Sequence, residues 1–147
     1  MKITLTENGN GPQVWDFDPD DVRARDAELI EAKLGVAWES FPLAVMQGSV
    51  RARRALLWHL RRQAHPKLRL DDVDFRPKDL KVELDVPEWR LWRGKIALMG
   101  DLSDELRDRA LAWVDQELAQ AEAGEDPAAA AAPGKADSAP PASVTSS

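Results

Sequence analysis

The sequence predicts a mainly α-helical domain that opens on a short N-terminal β-hairpin and closes on a disordered Ala/Pro/Ser-rich C-terminal tail. Three observations carry this. Alternating segments at 2–6 and 14–17 flank Asn8-Gly9-Asn10-Gly11, which is strong turn chemistry. Beyond them, apolar residues recur at helical spacing between cap and stop signals. From Gly124 onward, Ala, Pro and Ser supply 16 of 24 residues, and Val144 is the one large apolar side chain. Such a segment buries too little surface to offset its ordering entropy. The expected division is therefore a folded domain over 1–123 and a tail over 124–147.

The elements follow in order. Asp18 before Pro19 is an N-cap and first-turn pair for a helix over about 19–34, with Asp20 and Asp21 at its positive end and Gly35 as the stop. A short second helix fits 37–46. Ser49 caps a third over 49–64, which His65-Pro66 ends. Asp71 to Phe75 reads as a turn, Pro77 to Leu80 as one helical turn, and 81–86 alternates like a short strand. Asp101 or Ser103 caps a last helix to about 122, with Leu102, Leu106, Ala110, Trp113, Leu118 and Ala121 at helical spacing and a Glu105–Arg109 pair. Six tryptophans and no tyrosine supply the bulk of the aromatic core. Trp89 and Trp92, at i and i+3, share one helical face.

Composition narrows the function classes. The 147 residues carry 20 basic and 26 acidic groups, a net charge of −6. With no cysteine and two histidines, thiolate catalysis, disulfide frameworks and cysteine zinc sites are excluded, and a Ser-His-Asp relay has little to draw on. No secretory signal or membrane-length apolar run occurs. The expectation is a soluble protein of a reduced compartment, without cofactor or metal, and not an enzyme. Asp71, Asp72 and Asp74 lack the order of a calcium loop and suit turn and cap duty.

Charge is unevenly placed. Residues 49–69 hold seven basic and no acidic groups, between acidic segments at 1–48 and 101–123. At about 100° per residue, Val50, Ala52, Ala55, Leu56, Leu57, His59, Leu60 and Ala64 sweep one broad arc of this helix, while Arg51, Arg54, Arg61 and Arg62 take the other with Trp58 among them. Arg53 falls on the apolar side and is expected to snorkel out or pair with an acid. The arginine arc suits phosphates with Trp58 stacked on a base, an acidic protein segment, or internal pairing. His59 reads as a packed, hydrogen-bonded core histidine and His65 as a surface residue.

The order of features resembles a known family. Trp15-Asp16-Phe17-Asp18 leads to a helix ending Glu31-Ala32-Lys33-Leu34-Gly35. Gly48, then Ala52-Arg53-Arg54-Ala55-Leu56-Leu57-Trp58, Arg61-Arg62, Pro66 and Asp71-Asp72-Val73-Asp74-Phe75 follow. Over roughly 13–85 this is similar to the tail assembly chaperones of long-tailed phages and prophages of actinobacterial hosts. The resemblance implies a protein of the host cytoplasm, absent from the mature virion. It would bind the tape measure protein and assist loading of the tail tube protein, with room for self-association, no membrane partner and little call for nucleic acid. It implies no particular site residue. The candidate partner-binding set, read from the residues, is Arg51, Arg54, Trp58, Arg61 and Arg62, with Trp89 and Trp92 as apolar anchors.

Many members of that family are made in two lengths by ribosomal frameshifting. Pro133-Gly134-Lys135 is compatible with the codons CCG GGA AAG, which hold a slippery heptamer at Gly134 and Lys135; a plain linker dipeptide is the other reading. The alternative function is a small phage regulatory or packaging protein that binds nucleic acid through the arginine-rich helix 49–64. A virion component such as a connector is a third.

Overall fold

The computed structural model describes residues 1–125. These residues form five α-helices and one three-stranded antiparallel sheet, so the mainly helical class holds. The chain divides into two compact units, Met1–Leu84 and Asp85 onward, where the sequence reading had one domain over 1–123. Gly134, Lys135 and the rest of the expected tail beyond 125 lie outside the described residues.

In the first unit, β1 (Lys2–Leu5) and β2 (Gln13–Asp16) form the expected hairpin, with Gly9 at φ 79° in its turn. The alternating stretch near 81–86 is also a strand, β3 (Leu80–Glu83), and it pairs antiparallel with β1 to give the order β2-β1-β3. Ile3, Leu5, Phe17 and Leu80 turn inward from one face and are buried. Lys2, Asp16 and Lys81 turn outward.

The single helix expected over 19–34 is instead two pieces. Asp18 accepts from the Asp20 amide at 2.9 Å and caps a short 3-10 turn, Pro19–Asp21. Val22 and Arg23 are extended, and α1 runs Ala24–Leu34 to a left-handed Gly35. The cap and the stop were both legible; the extended pair between them is where β-branched Val22 leaves the helical path. The second expected helix likewise divides into a 3-10 turn, Trp38–Ser40, and α2, Phe41–Met46. Trp38 stacks on Phe41 at 5.3 Å between centroids, and Phe17 meets Phe41 edge-on at 6.3 Å.

Helix α3, Val50–Arg62, opens as expected, with Ser49 Oγ accepting from the Ala52 amide at 3.2 Å. Its residues Ala55, Leu56 and Leu57 are fully buried beside Phe41, Val45 and Val73. Each of the two leucines contributes roughly 1.5–3 kcal/mol by leaving water.

The second unit is a helix pair. Helix α4, Val86–Ala97, starts at a capping box in which Asp85 accepts from the Glu88 amide and Glu88 accepts from the Asp85 amide. Helix α5, Asp104–Glu125, is capped by Ser103 Oγ, which accepts from the Leu106 amide at 3.2 Å. Ala110 and Val114 are its buried positions, whereas Leu106, expected inside, is half exposed. Arg90 pairs with Glu122 at 2.6 Å, and Arg93 grips Asp115 with two nitrogens, holding α4 along α5. That pairing keeps the Asp115 carboxyl below its ordinary range.

Candidate partner-binding surfaces

The arginines of α3 are largely engaged within their own unit. Arg54 donates from Nε to the Val73 carbonyl at 2.8 Å and from Nη2 to the Leu70 carbonyl at 2.9 Å. Trp58 is buried, and its Nε1 donates to the Leu68 carbonyl at 2.9 Å. These three bonds fasten the segment after α3 back onto the helix. Arg62 lies over the Trp58 ring at 4.6 Å and stands 3.9 Å from Asp26 of α1. Arg61 donates to Gln13 at 3.1 Å and reaches Glu7 at 3.4 Å, tying α3 to the hairpin.

Arg53 is half-buried and meets no acid among the described residues. Its Nε donates to the Val45 carbonyl at 2.8 Å, and burial lowers its pKa from the ordinary value. Arg51 is exposed, and it forms no hydrogen bond or ion pair with another described residue. Of the residues expected to present a basic binding face, the structure therefore brings Arg54, Trp58, Arg61 and Arg62 together as an internal clasp and leaves Arg51 outside it.

His59 is packed as expected, edge-on to Phe17 at 6.2 Å. The expected hydrogen bond is missing at one nitrogen, since Nδ1 is sealed from water and has no partner. Desolvation lowers the pKa of His59 below 6.5, Arg62 adds to this, and Asp26 opposes it. His65 lies exposed at the helix exit. Asp72 accepts from Arg69 and Asp74 from the Phe75 amide, which is the cap and turn duty read from the sequence. Among the described residues no group of three His, Asp or Glu side chains is placed to hold a metal ion.

In the second unit Trp89 and Trp92 are both buried rather than displayed as anchors. Trp89 meets Trp113 edge-on at 5.5 Å, and the Lys95 ammonium lies 4.6 Å over the Trp92 ring. The face that α4 does display is apolar: Leu91 is 54% exposed and Leu98 87%, with exposed Pro87 and Gly94 in the same file. Positions 87, 91, 94 and 98 fall within a narrow arc of a 3.6-residue helix. The spacing is present in the sequence, but Trp89 and Trp92 dominate its apolar pattern and mark the opposite, inward face.

No family model, no curated protein and no solved structure matches the chain. No helix among the described residues is long and apolar enough to cross a membrane.

Proposed function

We propose that this protein is a tail assembly chaperone of the long-tailed phage type. It acts in the host cytoplasm as a non-catalytic binder that holds the tape measure protein while tail tube subunits assemble on it. The order of residues over 13–85 suggests the family, and one observation supports the mode of action. Pro87, Leu91, Gly94 and Leu98 make an uncovered apolar file along α4. That i, i+4, i+7, i+11 spacing is what an amphipathic helix of a client docks against, and small Gly94 leaves room for close approach, with nothing within 4 Å of where a Cβ would stand. A long helical client offers such stripes repeatedly.

The arginine contacts of α3 weaken the nucleic-acid reading. Phosphate binding draws on free guanidinium groups, and those of Arg53, Arg54, Arg61 and Arg62 already serve carbonyls and side chains of the fold.

The test is co-expression of the full chain with the tape measure protein from its own gene neighbourhood. The reading expects the client to stay in the soluble fraction and to co-purify with the chain. Leu91→Glu with Leu98→Glu should abolish both effects while leaving the circular dichroism of the chain unchanged. Finding the chain as a stoichiometric component of purified particles would overturn the proposal.

A further inference from the structure

We propose that the free edge of β2 is a docking site for an extended peptide segment of a partner, which adds as a fourth strand. The peptide carries a large apolar residue opposite Trp15 and a basic residue two positions before it. This goes beyond the chaperone reading and does not depend on it.

The edge is open by the hydrogen-bond pattern of the sheet. Phe17 donates to the Met1 carbonyl at 2.8 Å, and the Met1 amino group donates to the Phe17 carbonyl at 3.0 Å. Alternation along an antiparallel ladder then makes Ile3–Trp15 and Leu5–Gln13 the bonded pairs. The N–H and C=O of Val14 and Asp16 accordingly point away from β1, toward the side of β2 that carries no strand. Val14 is 55% exposed on this edge. A row of unpaired backbone groups beside an exposed valine is a template for a further strand.

The inner face beside this edge is not filled. Two adjoining clefts, of about 450 and 370 Å³, meet at Leu60 of α3. The first is lined by Gln13, Trp15, Leu60 and Leu68, with Arg61 and His65 at its rim. The second is lined by Phe17, His59 and Leu60 together with Asp16, Asp18, Asp21 and Asp26, against Arg23 in the lining and Arg62, which stands 3.9 Å from Asp26.

A strand laid antiparallel to β2 alternates its side chains in the same way. The residue opposite Trp15 turns inward over Leu60, where an apolar side chain fits. The residue two positions before it lies opposite Phe17, in the cleft that Asp16, Asp18 and Asp21 line, where a lysine or arginine is complementary. The residue two positions after lies opposite Gln13, near Arg61 and His65, where an acidic or polar side chain fits. Charge thus selects both the partner's chemistry and its direction. A second copy of the chain fits less well, because opposite Trp15 or Phe17 its β2 offers no basic residue.

The experiment is selection of random nonapeptides displayed on a carrier against the full chain, followed by titration of the enriched peptides. Enriched peptides should carry Lys or Arg two positions before Leu, Ile or Phe. Amide exchange at Val14 and Asp16 should slow when they bind. Val14→Pro deletes the outward N–H without breaking the ladder to β1, as edge strands allow, and should weaken binding about tenfold. Asp21→Lys should weaken it about threefold, and Val14→Thr should leave it unchanged. Should Val14→Pro unfold the chain, the exchange measurement decides. No enrichment, peptides that leave the Val14 and Asp16 amides unprotected, or binding indifferent to Val14→Pro in a folded variant would overturn the proposal. So would a dimer of the chain that Val14→Pro abolishes, because the occupant would then be a second copy.

Discussion

Arg54 and Arg51 stand three positions apart on one helix, yet they carry different duties. Arg54 satisfies two carbonyls of a segment that has no ladder of its own. Replacing it with Met should cost about 2 kcal/mol in urea denaturation, since both acceptors lose their donor. Arg51→Ala should stay within about 0.5 kcal/mol, as exposed substitutions do. His59 sets a pH dependence. Its folded pKa lies below 6.5, so the unfolded chain takes the proton first. Stability from this group is therefore whole above pH 6.5 and falls on acidification until the folded imidazole is itself protonated. His59→Leu should flatten that part of the curve in thermal melts at pH 5 to 7. The helical period placed His59 on the inner arc correctly. It left the arginines' partners open, internal pairing among them, because periodicity reports which way a side chain leaves the helix and says nothing of carbonyls arriving from a distant loop.

At the scale of elements, local chemistry was the reliable guide. Ser49, Asp18, Gly35 and the β1–β2 turn all act as their residue types suggest. Gly35 holds φ 69°, and Gly35→Ala should cost about 1 kcal/mol in the same assay, because a Cβ is strained there. The extended Val22–Arg23 pair was not legible, since only the packing around α1 decides where a capped turn departs from the helix that follows. The strand near 81–86 was readable from its alternation, but its partner was not: pairing with β1 spans most of the first unit, and nothing local encodes it. For α4, the buried tryptophans were read as a face without fixing its direction. Trp89→Ala should cost about 3–5 kcal/mol, as for other buried aromatics, whereas Leu98→Ser should be nearly neutral to folding.

For the whole molecule, charge decides more than any one contact. The chain carries −6 overall, and Arg54, Arg61 and Arg62 of its one strongly basic segment hold α3 to the loop that follows, to the hairpin and to α1. Gel-shift assays at about 0.15 M salt should accordingly show no retention of duplex DNA at micromolar protein. The uneven charge was plain in the sequence, and so was internal neutralisation as one reading of it. The division into two units was less accessible, because a strand running directly into a capped helix at Asp85 marks no linker, and only the three-dimensional contacts separate the groups. The clasp on residues 68–73 has a practical corollary. Lys67 and Arg69 are exposed and lie in irregular backbone, as good tryptic sites do, yet a protease must draw several residues into an extended path before it cuts. With Leu68, Leu70 and Val73 pinned by their carbonyls, brief trypsin treatment should spare both bonds, and Arg54→Met should expose them to rapid nicking.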